Sequence, residues 1–262
     1  MSGLKEYVLR EIDEILDWKP GESWDWWLKW SVEGYRAYYR ESVQSMDYVT
    51  TIYAVSPVFI DVAMHRAGLE LFWHLYQDDP ALVRKWLDAY LEHELKRIKS
   101  IAAPELCPIA WVDCDIAYKD RLIASPGFLR EEFFPRLKRI VKAWHGHDYR
   151  VIYHSDGCLW EILEELVNTG IDALHPIDVT AGMDMVEIRR RYPDLVLLGG
   201  IDSVGLLAHG TPEQVKEKIT IILDSLSHHS GIFFGSSIEI DPGAKRDNVI
   251  AMFDTLKGYT PR

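Results

Sequence analysis

Polar side chains that can carry acid–base or metal chemistry recur in this sequence at the ends of short apolar runs. They are carboxylates, imidazoles and hydroxyls: Asp113, Asp115, His154, Asp156, His175, Asp178, Asp202, Ser236, Ser237 and Glu239. If the runs are parallel strands, their carboxyl ends share one face, where barrel enzymes build their active sites. An imidazole among carboxylates supports either general acid–base catalysis or a divalent cation with nitrogen and oxygen ligands. The residues alone leave both readings open.

His154 is the strongest candidate in this set. It ends the run RVIYH and precedes Ser155, Asp156 and Gly157, so its imidazole is expected at the rim of the sheet. The carboxylates have a second interpretation, because Asp before a helix commonly accepts bonds from free backbone amides. This applies to Asp156, Asp178 and Asp202. By contrast, the His-x-His spacing in WHGHDY precedes a strand and is expected to form a solvated turn at the opposite end.

The elements that must position these residues follow a regular pattern from Tyr48 onwards. Apolar runs alternate with segments whose apolar residues repeat at helical spacing, which predicts βα units. The predicted strands lie in YVTTIYAV, CPIAWVDCDIA, YRVIYHSDG, IDALHPID, LVLLGGID and GIFFGSSIEI. Strands that are apolar on both faces indicate a parallel sheet, either a barrel or a doubly wound sheet.

Residues 1–47 predict a separate N-terminal helical segment, and residues 48–262 predict the βα-barrel domain. The N-terminal segment contains a cluster of indoles at Trp24, Trp26, Trp27 and Trp30. Helix boundaries have local signals: Pro126 and Thr211-Pro212 predict helix starts, and Gly170 predicts a helix end. The run CLWEILEELVNTG is predicted to be a helix whose buried stripe includes Leu159, Ile162, Leu163 and Leu166.

Composition excludes several classes of protein. The formal net charge of −12 argues against binding nucleic acid or an anionic membrane, since such binding needs clustered cations. Three cysteines are too few and too irregularly spaced for a disulfide framework. The N-terminus lacks the apolar stretch of a signal peptide, and no run approaches membrane-helix length. A cytoplasmic enzyme acting on a small molecule is the expectation.

Three segments carry a family resemblance. HSDGCLWEILEELVNTGIDALHPID, LGGIDSVGLLAHGTPEQVKEKI and GSSIEIDPGAKRDNVIAMFDTL resemble the uroporphyrinogen decarboxylase superfamily, which includes corrinoid-dependent methyltransferases. The similarity covers roughly residues 48–258. It implies an α/β fold of the (β/α)8 TIM-barrel type, here with the first strand units missing or altered.

The resemblance also implies roles for individual residues. In the methyltransferase branch an HxC pair and a later cysteine hold zinc; this chain has His154 and Asp156 at the pair, and Ser236 or Ser237 with Glu239 nearby at the later position. The implied metal ligands are His154, Asp156 and Glu239, a harder and more oxygen-rich set. Catalytic roles fall to His154, Asp156, Asp115 and Asp178. The residues expected to contact substrate or shape its pocket are Asp113, His175, Gly199, Gly200, Asp202 and Ser236.

The resemblance implies two enzymatic functions, and the missing strand units leave open a third, non-catalytic one. The first is a methyltransferase that moves a methyl group between a small substrate and a corrinoid (cobalamin) carrier protein, with zinc as a cofactor. The second is a metal-free decarboxylase acting on uroporphyrinogen or another carboxylated substrate. The Asp and Arg residues that the decarboxylases take from earlier segments have no match in this chain. The third is a non-catalytic, shortened barrel that binds a corrinoid protein or tetrapyrrole, or that pairs with another subunit, for example as a homodimer.

Overall fold

A computed structural model describes residues 1–19, 32–44, 53–58, 60–237 and 239–260. Strands and helices alternate in these residues, which confirms the predicted α/β class. The Trp24 to Trp30 cluster and the predicted strand start at Tyr48 lie outside the described residues. The first described strand extends beyond the predicted run to include Ser56 and Pro57, because both pair with the neighbouring strand.

Six strands form one sheet, and their order in the sheet follows their order in the chain. The strands are β1 (Ala54–Pro57), β2 (Ile109–Asp113), β3 (Arg150–His154), β4 (Ala173–Ile177), β5 (Val196–Ile201) and β6 (Ile232–Ser236). β1 pairs with β2, β4 with β5, and β5 with β6, all in parallel. Parallel neighbours need long crossover connections, and the helices supply them.

Helices make up much of the remaining described chain. They are α1 (Ser2–Asp17), α2 (Val32–Gln44), α3 (Ile60–Ala67), α4 (Leu69–Asp78), α5 (Pro80–Ile101), α6 (Pro126–Phe128), α7 (Phe134–His145), α8 (Leu163–Val167), α9 (Met185–Arg191), α10 (Leu206–His209), α11 (Pro212–Leu226) and α12 (Arg246–Gly258). A π-helical turn spans Leu129–Phe133 and a 3-10 turn spans Val179–Ala181. Among the described residues, no helix combines the length and the apolar character needed to cross a membrane.

The chain divides into two compact units. The first unit contains residues 1–114, 127–152 and 168–170, and the second contains residues 115–126, 153–167 and 171–262. The first unit has an aromatic core that includes Trp86, Tyr90, Trp144 and Tyr149. The core of the second unit is aliphatic, and its members include Ile201, Leu207, Val215, Ile219, Leu223 and Met252. The domain boundary predicted between residues 47 and 48 stays a prediction.

Within the first unit, α1 packs against α5. Val8, Ile12 and Ile15 of α1 are completely buried. The hydroxyl of Tyr90 on α5 donates a hydrogen bond to Oε1 of Glu11 at 3.0 Å. Apolar burial and long-range hydrogen bonds, including this one and that from Lys5 to Asp79, therefore hold the N-terminal helix in place.

The local signals for helix starts are confirmed, whereas the signal for a helix end at Gly170 is displaced, because α8 already ends at Val167. Thr211 and Gln214 form a capping box at the start of α11, with Pro212 in its first turn. Pro126 opens α6, and Gly170 adopts a φ of 94°. The predicted helix from Cys158 was too long, because α8 begins only at Leu163.

The shorter α8 has a tertiary cause. The backbone amide of Cys158 donates to the carbonyl of Tyr118 at 2.9 Å, and the amide of Leu159 lies 3.3 Å from Sδ of Met183. These contacts hold the start of the predicted helix in turns. Its apolar stripe is still buried, because Leu159, Ile162, Leu163 and Leu166 are each at most 1% exposed.

Buried His93 on α5 predicts acid sensitivity of folding. Its ring centroid lies 4.2 Å from that of Trp18, and burial, together with Arg97 and Lys96, lowers its pKa to about 3. A depressed folded-state pKa contributes stability above the unfolded value of 6.5, and this stability is lost as the pH falls from there towards 3.

We therefore expect His93→Phe to remove part of the loss of stability on acidification. Between pH 7.5 and 5, the wild-type free energy of unfolding should fall by about 2 kcal/mol more than that of the variant. Urea titrations at the two pH values measure this difference. Equal losses in both proteins would contradict a neutral buried His93.

Candidate active site

The candidate site lies in the second unit, where the segment after β2 meets the loop after β3. Nε2 of His154 lies 3.6 Å from Oδ1 of Asp115. The same Oδ1 accepts a hydrogen bond from the backbone amide of Asp156 at 2.9 Å. Asp115 therefore holds the loop after β3 while facing the imidazole that ends β3.

His175 is the second partner of His154. Ser155 donates its backbone amide to the His175 carbonyl at 3.0 Å, which sets the end of β3 beside the middle of β4. The two imidazoles meet edge to edge: their Nδ1 atoms lie 2.8 Å apart, their ring centroids lie 5.0 Å apart, and their planes differ by 27°. Burial, with His154 as the next cause, lowers the pKa of His175 to about 4. His175 is therefore neutral near pH 7.

Asp178 has the capping role that the sequence left open, together with a second contact. Its Oδ1 accepts hydrogen bonds from the Thr180 amide at 2.9 Å and the Thr180 hydroxyl at 2.7 Å. Its Oδ2 accepts from the backbone amide of Gly157 at 3.3 Å. One carboxylate thus connects the turn after β4 to the loop after β3.

The loop after β3 is held by residues that sequence reasoning did not select. The completely buried Ser155 accepts a hydrogen bond from the Ile116 amide at 3.0 Å and donates one to the Asp156 carbonyl at 2.9 Å. The Tyr118 carbonyl accepts from the Cys158 amide. The Ser-Asp-Gly triplet after a strand was a usable signal for Ser155, whereas nothing local marked residues 116–118.

Gly157 allows the two segments to approach each other. Its φ is +93°, and a Cβ added there would lie 2.6 Å from the Tyr118 carbonyl oxygen and 2.7 Å from the Ala117 carbonyl carbon. Both neighbours are backbone atoms, so neither can move aside as a side chain would. Only glycine suits this conformation and spacing.

Asp156 is the electrostatically unusual carboxylate. Burial first, and then the charge of Asp115, raise its pKa, while His154 opposes the shift. Its Oδ1 is buried and accepts no hydrogen bond in the described part of the chain. A carboxylate oxygen left without a donor beside other acidic groups is a suitable ligand for a proton or a cation.

The remaining predicted residues of the second unit are arranged around the strand ends. Gly199 and Gly200 in β5 have φ of 102° and 84°, and a Cβ at Gly200 would lie 2.6 Å from Cε of Met185. Asp202 accepts hydrogen bonds from the amides of Val204 and Gly205 at 3.1 and 2.7 Å, which supports its capping interpretation. The roles predicted for these three residues in substrate binding stay predictions.

Ser236 is the last residue of β6, and the exposed Glu239 acts electrostatically on Asp156 and His175. Asp113 ends β2 in the first unit, where it contributes to the raised pKa of Asp61, although burial is the main cause. Of the residues predicted to act together, the structure joins Asp115, His154, His175 and Asp156 through short contacts in one unit. Asp178 binds the neighbouring amide of Gly157.

The donor set fits a divalent cation. Asp115 and His154 offer ligand atoms within 4.8 Å of each other. Oδ1 of Asp156 is buried without a hydrogen-bond donor in the described residues, but it is not among the ligand atoms that meet this distance. Nitrogen and carboxylate ligands suit zinc and harder divalent metals.

Comparison with known proteins places this site in a family context. The sequence model of the Uroporphyrinogen decarboxylase (URO-D) family matches residues 54–259. A uroporphyrinogen decarboxylase of Coxiella burnetii (strain RSA 493 / Nine Mile phase I) is 31% identical over 123 residues, covering 46% of this chain and 32% of the relative. The Methylcobamide:CoM methyltransferase MtbA of Methanosarcina acetivorans is 25% identical over 205 residues, covering 76% of this chain and 55% of the relative.

A solved structure of a methyltransferase from Methanosarcina mazei superposes with a TM-score of 0.65 at 17% identity, covering 86% of this chain and 63% of that one. This likeness confirms the predicted (β/α)8 type of fold, with fewer strands in the described residues. The matches span from 32% to 55% of the two curated relatives, so the chain corresponds to only part of their length.

Proposed function

The chain belongs to the uroporphyrinogen decarboxylase (URO-D) family, and on that premise we propose that it is a methyltransferase that moves a methyl group between a small substrate and a corrinoid carrier protein. The match to a methylcobamide:CoM methyltransferase over 76% of this chain supports the methyltransferase branch. The observation that carries the proposal is the cluster of Asp115, His154 and Asp156 at the strand ends.

The cluster favours methyl transfer to or from an oxygen atom of the substrate. The residue two positions after His154 is Asp156, where the methyltransferase branch of the family resemblance has a cysteine. Methyl transfer to or from an oxygen requires stabilisation of negative charge on that oxygen, in either direction. His154 and Asp156 are suited to take a proton from an acceptor hydroxyl or to return one to a departing oxygen.

Asp115 and Asp178 hold these groups in place. Asp115 faces the His154 imidazole and binds the Asp156 amide, and Asp178 binds the next amide, that of Gly157. A divalent cation such as zinc would be held by His154 and Asp115, with the sequence-predicted Asp156 or Glu239 as a further ligand, and would supply Lewis-acid activation of the substrate oxygen. The fixed loop would orient the substrate towards the same atoms.

Methyl transfer from free methylcobalamin tests this proposal. We expect the purified protein to demethylate methylcobalamin in the presence of small hydroxyl acceptors, as followed by visible absorbance. His154→Ala should lower the rate by about 10²–10⁴-fold, which is the usual contribution of a positioned acid or base. Elemental analysis of both proteins should show less bound zinc in the variant.

The control variant is His147→Ala. His147 lies in the turn after α7 in the first unit and has no part in the proposed chemistry. Its rate and metal content should match those of the wild type. A His154→Ala protein with full activity and stoichiometric zinc would reject the roles proposed here.

A decarboxylase is the second candidate, because the Coxiella relative bears that name. In this function Asp115 or Asp178 would stabilise a developing positive charge on the substrate. Incubation with uroporphyrinogen separates the two functions. Weak or absent turnover is expected, and robust formation of coproporphyrinogen would favour the decarboxylase.

A further inference from the structure

The contact between His154 and His175 is the starting point of a further inference. Their Nδ1 atoms are 2.8 Å apart, which is the length of a good hydrogen bond. A neutral imidazole has one nitrogen that donates and one that accepts. One Nδ1 therefore carries a proton and donates the hydrogen bond, and the other Nδ1 accepts that hydrogen bond.

The direction of this hydrogen bond depends on what faces the other nitrogen of His154. Nε2 of His154 lies 3.6 Å from a carboxylate oxygen of Asp115. When Nε2 carries a proton towards that carboxylate, Nδ1 of His154 must accept from His175. When the lone pair of Nε2 binds a cation, the ring proton moves to Nδ1, which then donates to His175.

Histidine at position 175 can serve both arrangements. In the first, His175 is protonated on Nδ1; in the second, it is protonated on Nε2, so the pair keeps two ring protons in each. A carboxylate, a common partner of metal-binding histidines, could only accept. It would also add negative charge beside Asp115, Asp156 and Glu239, which already interact electrostatically.

We propose that His175 is the positioning residue of His154: through the hydrogen bond between the two Nδ1 atoms, it holds the His154 ring with Nε2 directed towards Asp115. The inference rests on the proposed function, since it takes His154 as the acting residue. It adds a residue that determines the tautomer and orientation of that imidazole. The planes of the two rings differ by only 27°, so the hydrogen bond runs close to the plane of both rings and restricts rotation of His154.

Three substitutions of His175 test this inference. His175→Asn places an amide where Nδ1 lies, and this amide can donate or accept. His175→Leu has similar size and no polar atom. His175→Gln carries the same amide one carbon further out, closer to the place of Nε2. His175→Leu and His175→Gln should therefore lose the hydrogen bond to Nδ1 of His154, whereas His175→Asn should keep it.

The primary measurement is the ring nitrogen chemical shifts of His154 in protein labelled with nitrogen-15 histidine, without substrate or metal. We expect the wild type and His175→Asn to show His154 as a single tautomer with its proton on Nε2. His175→Leu and His175→Gln should show a mixture of tautomers. Addition of zinc alone should move the wild-type proton to Nδ1.

Zinc affinity provides a second readout. Loss of a partner behind a metal-binding histidine typically lowers affinity by about 10–100-fold, and we expect this loss in His175→Leu and in His175→Gln but not in His175→Asn. Circular dichroism establishes that each variant is folded. If the leucine variant does not fold, the comparison of Asn with Gln decides.

An unchanged single tautomer of His154 in both His175→Leu and His175→Gln would overturn the inference. Equal losses of zinc affinity in His175→Asn and His175→Gln would also overturn the inference, because that result would indicate a general packing role for His175. Failure of the proposed function gives a different pattern: no methyl transfer by the wild type, with the tautomer of His154 still dependent on residue 175.

Discussion

Gly157→Ala is expected to lower the free energy of unfolding by about 2–6 kcal/mol, because backbone strain of 1–3 kcal/mol adds to overpacking of 1–3 kcal/mol. The strain comes from a φ of +93°, and the overpacking comes from a Cβ placed 2.6 Å from the Tyr118 carbonyl oxygen. Relief of the overlap would have to move the loop that carries His154 and Asp156. A displacement of about 1 Å can cost roughly 100-fold in rate.

Gly182→Ala is the matched control. Gly182 lies in the same unit and has a φ of +79°, but a Cβ there would have no atom within 4 Å. Gly182→Ala should lower the free energy of unfolding only by the backbone strain, and its rate of methyl transfer should not fall. Urea unfolding and the methylcobalamin assay measure both effects. If the two variants behave alike, the close approach of Gly157 to residues 117 and 118 has no functional consequence.

The second large effect is expected from a buried ion pair in the first unit. Glu94 and Arg97 on α5 are 1% and 6% exposed, and Arg97 donates to both carboxylate oxygens of Glu94 at 2.6 and 2.7 Å. Ser56 of β1 donates to Glu94 and accepts from Nε1 of Trp144 at 2.8 Å. The pair thus connects α5 and α7 with the first described strand.

Glu94→Gln should destabilise the protein by about 3–5 kcal/mol, because it leaves the guanidinium buried without its counter-charge. The control is Glu92→Gln on the same helix. Glu92 pairs with Arg139 at 2.6 Å, but both side chains are about half exposed. Exposed pairs contribute about 0–1 kcal/mol, so the control variant should remain close to wild type in urea unfolding.

The double variant Glu94→Leu with Arg97→Met completes the test. Replacement of a whole buried ion pair by apolar groups is often neutral, so most of the lost stability should return. A coupling energy between the two sites follows from the double-mutant cycle. Comparable losses of unfolding free energy for Glu94→Gln and Glu92→Gln would show that burial does not strengthen the Glu94–Arg97 pair.

Much of the fold could be predicted from local pattern. The six apolar runs became strands, and the signals for helix starts at Thr211 and Pro126 marked real boundaries. These features depend on neighbours within a few residues, so a single sequence reports them. The length of α8 could not be predicted in this way, because the residues predicted to begin it, Cys158 and Leu159, bind the distant Tyr118 and Met183 instead.

The candidate site could likewise be predicted only in part from the sequence. The sequence by itself determined that carboxylates and imidazoles follow the strands, because strand ends and polar residues are both visible in the chain. Only the tertiary structure decided their partners: His154 pairs with His175, 21 positions away, and Asp178 combines a cap with a bond to Gly157. The physical reason is that such contacts depend on the register between strands and on side-chain direction, and periodicity carries neither.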